Sequence, residues 1–262
     1  MKKKIGLVLS GGGAYGCAHL GVLQVLEENN IEVDIITGTS MGALIGGAYA
    51  AGVPLKKMVD TFTMFKRNNF LDINPFLLSN PGLILGNKVT NRLRGVVGNV
   101  NIEDCEKKFA SISCDIKTGN KISMRSGDII EAIRASISVP GIFAPVKKDN
   151  MLLIDGGAVD NMPVEDAREL GAEFVIAVDV CTYYEPHKKL KTLIDMLISS
   201  SNIMVANLVN AKKDKGDICI KIDQPGVTQD RFTQVEIKKS IEYGRKFAEA
   251  ILPTIKQKLK IK

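Results

Sequence analysis

The segment Val33-Asp34-Ile35-Ile36-Thr37-Gly38-Thr39-Ser40-Met41-Gly42-Ala43 decides how the rest of the chain is read. The apolar run Val33 to Thr37 predicts a strand. The small-residue stretch Ala43 to Ala51, closed by Gly52 and Pro54, predicts a helix. Between them stands Gly38-Thr39-Ser40-Met41-Gly42, a Gly-x-Ser-x-Gly sequence. Between a strand and a helix, this spacing permits a sharp turn that exposes the serine hydroxyl, the arrangement called a nucleophile elbow. The plainer alternative is a Gly-rich connection whose serine caps the helix.

Toward the N-terminus the same pattern occurs once more. Ile5 to Leu9 form a short apolar run, Gly11-Gly12-Gly13-Ala14-Tyr15-Gly16 follow, and Leu20, Leu23 and Leu26 then recur at helical spacing. The glycines satisfy Gly-x-Gly-x-x-Gly, and their N–H groups at a helix start suit a pyrophosphate or an oxyanion equally. A dinucleotide-binding fold would place an acidic residue after the second strand, where this chain has the Ser40 elbow instead.

A serine needs a base to accept its proton. The chain has two histidines. His19 falls within the first predicted helix, and His187 follows Tyr183-Tyr184-Glu185-Pro186 in a polar segment, so neither is well placed. Leu152-Leu153-Ile154-Asp155-Gly156-Gly157 offers a carboxylate at a strand end, where α/β sheets gather their sites. From the residues alone, Asp155 reads either as that base or as a turn aspartate before Gly-Gly.

Further strands are predicted at Phe174 to Val180 and Ile218 to Ile222, with a hairpin from Phe109 to Ser126 around Gly119-Asn120. Helices are predicted at Asp128 to Ser136, Val164 to Leu170, Leu190 to Val209 and Val235 to Lys258. Alternating elements of this kind predict an α/β fold of three layers, helices covering both faces of a mainly parallel sheet. Residues 54–100 show no strand pattern and read as a mostly helical insertion. Its Phe62, Met64, Phe65, Phe70, Phe76, Leu77, Leu78, Leu83, Ile84 and Leu85 suit either the wall of an acyl-binding pocket or ordinary core.

With these motifs in order, the sequence resembles the patatin-like phospholipases, which share a Gly-rich oxyanion loop, a Gly-x-Ser-x-Gly elbow and an Asp-Gly-Gly motif. The likeness extends through Cys17-Ala18-His19-Leu20-Gly21-Val22-Leu23, Ala135-Ser136, Pro140-Gly141-Ile142-Phe143-Ala144-Pro145 and Asn161-Met162-Pro163. It implies a catalytic region over 5–168, with 169–262 completing the same domain. It also implies a Ser40–Asp155 dyad without histidine and an oxyanion hole in the loop Gly11, Gly12, Gly13 and Ala14. Gly16, Thr39, Met41, Gly156 and Gly157 complete the motifs. The expected activity is hydrolysis of lipid acyl esters through an acyl-enzyme, with acyl transfer or a catalytically idle lipid-binding role as alternatives. That chemistry requires no metal and no organic cofactor. Tyr15 departs from the pattern, because many relatives carry Arg or Lys there.

Composition narrows the setting. At 45% hydrophobic and 24% charged residues, the chain can bury a sizeable core. The basic start Met1-Lys2-Lys3-Lys4 leads into a run too short for a signal peptide. Leu190 to Val209, the most apolar later stretch, is broken by Asp195, serines and asparagines, so an amphipathic helix is expected rather than a membrane span. Five scattered cysteines, with no Cys-x-x-Cys pair, suggest neither a disulfide framework nor zinc and fit a reducing cytoplasm. The formal charge of +6 allows peripheral contact with anionic membranes. No aromatic residues interleave with the basic ones, which argues against nucleic acid.

Overall fold

The protein is described here from a computed structural model, which covers residues 3–64, 72, 73, 75, 82–181, 192–212, 214–229 and 231–261. Its strands are β1 (Ile5–Leu9), β2 (Ile35–Thr39), β3 (Lys108–Asp115), β4 (Asn120–Met124), β5 (Val146–Lys148), β6 (Met151–Asp155), β7 (Phe174–Asp179) and β8 (Ile218–Lys221). Its α-helices are α1 (Ala18–Glu28), α2 (Met41–Ala50), α3 (Leu55–Thr63), α4 (Asn87–Val97), α5 (Ile129–Ser136), α6 (Val164–Glu169), α7 (Leu193–Ala211) and α8 (Gln234–Leu259).

All the strands join one sheet. From β8 through β7, β1 and β2 to β3 the pairing is parallel, and β4, β6 and β5 add an antiparallel margin. Successive side chains of a strand point to opposite faces, and β1 shows the consequence. Ile5, Leu7 and Leu9 pack with Leu20 and Leu23 of α1, Ile45 of α2 and Ile241 of α8. Val8 turns the other way and joins Val164 and Ala167 of α6 and Val209 of α7. Helices therefore cover both faces, and the expected three-layer α/β/α arrangement holds. Burial on both sides also explains why the central strands are continuous apolar runs rather than alternating ones.

Local chemistry sets several helix starts. The Asp128 carboxylate accepts the N–H groups of Ile130 and Glu131 at the head of α5. Thr233 caps α8, its Oγ1 accepting the Glu236 N–H at 3.2 Å and donating to the Glu236 carboxylate at 2.8 Å. Asp72 caps α4 from outside the helix, accepting from Gly86 at 2.9 Å and Asn87 at 2.7 Å. The strand β5 was not expected. It is three residues long and contains two lysines, so it carries no strand signal of its own and exists by pairing with β6.

One register relation positions the site. β4 occupies one edge of β3 along Ser111 to Asp115. The other edge is shared, with β2 paired to Lys108–Ile112 and β6 paired to Ser113–Asp115. β2 runs parallel to β3 and β6 runs antiparallel, so the two advance toward each other along that edge. Their C-terminal residues, Thr39 and Asp155, stand opposite the consecutive residues Ile112 and Ser113.

Candidate active site

Ser40 occupies the turn where β2 hands over to α2. Its backbone lies at φ 53° and ψ −121°, a conformation rare for a residue with a side chain. Neighbouring glycines make the turn possible. A Cβ on Gly38 would come within 2.5 Å of the Gly42 carbonyl, and one on Gly42 within 2.1 Å of the Leu9 carbonyl oxygen. The Ser40 N–H donates to Ser136 Oγ at 2.8 Å, and the Ser136 hydroxyl donates in turn to the Ile112 carbonyl at 2.5 Å. Thr39, fully buried, donates from its hydroxyl to the Asp160 carbonyl at 2.7 Å. With the backbone fixed on every side, the half-buried Ser40 side chain remains at the surface of the turn.

Asp155 ends β6 and is 8% exposed. The Ser40 side chain lies close enough to act on its carboxyl. Asp155 Oδ1 accepts the Gly157 N–H at 2.8 Å, and its own N–H donates to the Ser138 carbonyl at 3.0 Å. Burial pushes the carboxyl up to about 6, while the Ser40 side chain and the Gly157 N–H pull it partly back. That value makes it a stronger proton acceptor than a free aspartate, yet still ionised at neutral pH. Gly156 sits against the Ile112 carbonyl, where a Cβ would come within 2.3 Å.

The glycine loop lies beside this pair, a Cβ on Gly11 reaching to 3.0 Å of Ser40 Cβ. Its four expected donors divide into two kinds. The Gly11 N–H goes to Asn161 Oδ1 at 3.2 Å, and the Ala14 N–H to the Gln229 carbonyl at 2.8 Å. The N–H groups of Gly12 and Gly13 have no partner among the described residues. Two donors of the four are therefore free to meet an anion. Gly16 packs on the side chain of Met41, tying the loop to the first residue of α2.

His19 is fully buried and its Nε2 donates to the Ser10 carbonyl at 2.8 Å. Burial lowers it to about 4, so the imidazole is neutral in the ordinary range and serves the loop's foundation. His187 lies outside the described residues. Tyr15 is buried in the main core with its carbonyl accepting from Gln224 Nε2 at 2.9 Å, so that position faces inward.

Several residues that support the site were given no role there by the sequence reading. Ser136 and Asn161 hold the elbow and the loop. The Arg134 guanidinium, buried, reaches Ser138 Oγ at 2.6 Å and the carbonyls of Leu85 and Ala144, fastening the insertion to the segment before β6. Asp160, beneath the Asp155 turn, is paired with Lys121 at 3.3 Å and Lys212 at 2.8 Å. Ser136, Asn161, Lys121 and Lys212 are far in sequence from the groups they hold at Ser40, Gly11 and Asp160, so no local pattern announces them.

The sequence model of the patatin-like phospholipases matches residues 7–168, covering the glycine loop, the elbow and the Asp155 turn. The chain belongs to the patatin-like phospholipase family. A patatin-like phospholipase domain-containing protein of Caenorhabditis elegans is 40% identical over 182 residues, 67% of this chain and 13% of that protein. An NTE family protein of Mycobacterium bovis is 34% identical over 177 residues, 68% of this chain and 49% of that protein. The chain thus spans about half the length of the mycobacterial relative and far less of the nematode one.

Solved structures place this patatin-like chain in the same fold. VipD from Legionella pneumophila superimposes with a TM-score of 0.56 at 15% identity, over 97% of this chain and 67% of that one. Human GIVD cytosolic phospholipase A2, in complex with methyl γ-linolenyl fluorophosphonate, gives 0.53 at 11% identity, over 99% and 58%.

Of the insertion residues read as either acyl-pocket wall or core in this patatin-like chain, Phe65, Phe70, Phe76, Leu77 and Leu78 lie outside the described residues. Phe62 packs on the core, while Met64 and Leu83 are exposed. Among the described residues, no helix is long and apolar enough to cross a membrane.

Proposed function

We propose that this patatin-like domain is a serine hydrolase of lipid acyl esters, with Ser40 as nucleophile and Asp155 as base. The observation that carries the reading is the placement of Ser40, on a strained elbow, beside the buried Asp155 carboxyl, which burial pushes up to about 6. Ser40 Oγ attacks the ester carbonyl carbon as its proton passes to Asp155. The carbonyl electrons move onto oxygen, and the oxyanion is met by the N–H groups of Gly12 and Gly13. Collapse of the adduct expels the alcohol, which takes the proton from Asp155, and leaves an acyl-Ser40. Water then repeats the sequence with Asp155 as base, and the fatty acid departs. Each well-placed oxyanion donor stabilises the transition state by about 3 kcal/mol.

Family membership supports a lipid or acyl-ester substrate. The formal charge of +6 supports transient contact with anionic membrane surfaces. The test compares wild type with Ser40→Ala on acyl esters and phospholipids of graded chain length. Fatty acid released by wild type and not by the variant is expected. Equal release by both refutes the assignment. Transfer of the acyl group to an added alcohol in preference to water would make the enzyme an acyltransferase instead.

A further inference from the structure

The two unpartnered N–H groups of the glycine loop each belong to a peptide unit whose carbonyl is tied down. Gly13 N–H shares its peptide with the Gly12 carbonyl, which accepts the Tyr15 N–H at 3.2 Å. Gly12 N–H shares its peptide with the Gly11 carbonyl, which accepts from Cys181 Sγ at 2.9 Å. A peptide is planar, and the described residues contain no cis bond, so each N–H points away from its pinned carbonyl. The first anchor is backbone, available to almost any sequence. The second is a side chain and depends on one thiol.

We infer that Cys181 is a positioning residue: by holding the Gly11 carbonyl, it aims the Gly12 N–H toward the oxyanion of the Ser40 adduct. This rests on the hydrolase reading above and adds to it the residue that sets one donor's direction.

The surroundings fit that role. The Cys181 N–H donates to Asp179 Oδ1 at 3.0 Å, so the residue is fixed at the exit of β7. A Cβ on Gly12 would approach Sγ to 3.2 Å, which leaves the loop no room to slide past the thiol. Asn161 grips the same glycine from its other side, its Oδ1 taking the Gly11 N–H at 3.2 Å. Burial foremost, then the charges of Asp179 and Asp155, push the thiol up to about 12 against the pull of Asn161. It therefore stays protonated, and a donor, across the working range. A thiol is a weak donor, so its contribution is direction rather than strength, and a hydroxyl in its place should serve as well.

The test measures ester turnover and the rate of Ser40 labelling by a fluorophosphonate in wild type, Cys181→Ala and Cys181→Ser. The inference predicts that alanine lowers kcat and labelling at least tenfold with KM within threefold, and that serine restores both to within threefold. If alanine unfolds the protein, Cys181→Thr and Cys181→Val replace the pair, being alike in shape and different in the donor. Equal rates for the donor and non-donor members of either pair overturn the inference. A Cys181→Ala variant that labels as fast as wild type overturns it too, with the Ser40 reading left standing. A wild type that never labels at Ser40 removes the hydrolase reading and this inference with it.

Discussion

Ser40 and Asp155 stand beside each other at the point where two strands advancing from opposite directions meet along one edge of β3, Thr39 and Asp155 facing the consecutive residues Ile112 and Ser113. Because β6 runs antiparallel, its C-terminal end descends to the level at which the parallel strands finish. An aspartate distant in sequence thus arrives beside an elbow serine with no loop needed to carry it there. The geometry depends on β3 being longer than β2, since the extra residues Ser113–Asp115 are what β6 pairs with.

Ser136 is the hinge of that arrangement, accepting from the Ser40 N–H and donating to the Ile112 carbonyl. Ser136→Ala removes the partner of the half-buried Ser40 N–H and the hydroxyl that donates to the buried Ile112 carbonyl. The expected loss is about 2 kcal/mol in urea unfolding, with turnover reduced more than tenfold as the elbow relaxes. Wild-type stability together with wild-type turnover would contradict the role given to this hydroxyl.

Burial raises Asp155 from the ordinary 3.8 to about 6, so between those values the folded protein binds a proton that the unfolded chain releases. The stability associated with the neutral carboxyl is complete below about pH 4 and is lost as pH rises through 6. At pH 8 the buried charge then costs on the order of 3 kcal/mol. Asp155→Asn, always neutral, should unfold at higher urea than wild type at pH 8 and lose that advantage at pH 4, while turnover falls by two or more orders of magnitude. A variant less stable than wild type at pH 8 would contradict the burial argument.

The elbow glycine Gly42 faces the Leu9 and Ser10 carbonyls, at 2.1 and 2.7 Å from an added Cβ. Relief requires α2 to move off β1. Gly42→Ala should cost about 3 kcal/mol and lower the melting temperature by several degrees. An unchanged melt would mean that the turn is looser than described.

The double variant His19→Gln, His187→Gln should retain turnover within about tenfold, with folding checked by circular dichroism. His19 is neutral, buried and committed to the Ser10 carbonyl, and glutamine keeps a donor there. A folded double variant slower by 10⁴ would indicate a histidine base.

Much of this was legible because it is local. The Gly38–Gly42 spacing, the apolar runs at β1, β2 and β7, and the hairpin around Gly119 are set within a few residues. The division of the loop into occupied and free donors was not legible. It depends on Asn161 and Gln229, which reach Gly11 and Ala14 from distant parts of the chain. The same holds for the role of Ser136 under the elbow and for Cys181, one of the five scattered cysteines, which no sequence pattern ties to the loop. A histidine inside a helix could be judged a poor base from sequence, but its bond to Ser10 requires the fold. The margin strand β5 exists through pairing alone.

The most direct test of the Ser40–Asp155 pair is the rate of fluorophosphonate labelling from pH 4.5 to 8, with the adduct located by peptide mass spectrometry. Wild type is expected to give a single adduct at Ser40, formed at a rate that rises with an apparent pKa near 6, and Asp155→Asn to label at least a hundredfold more slowly at pH 8. An adduct on another residue, or an Asp155→Asn protein that labels Ser40 at the wild-type rate, would contradict the pairing.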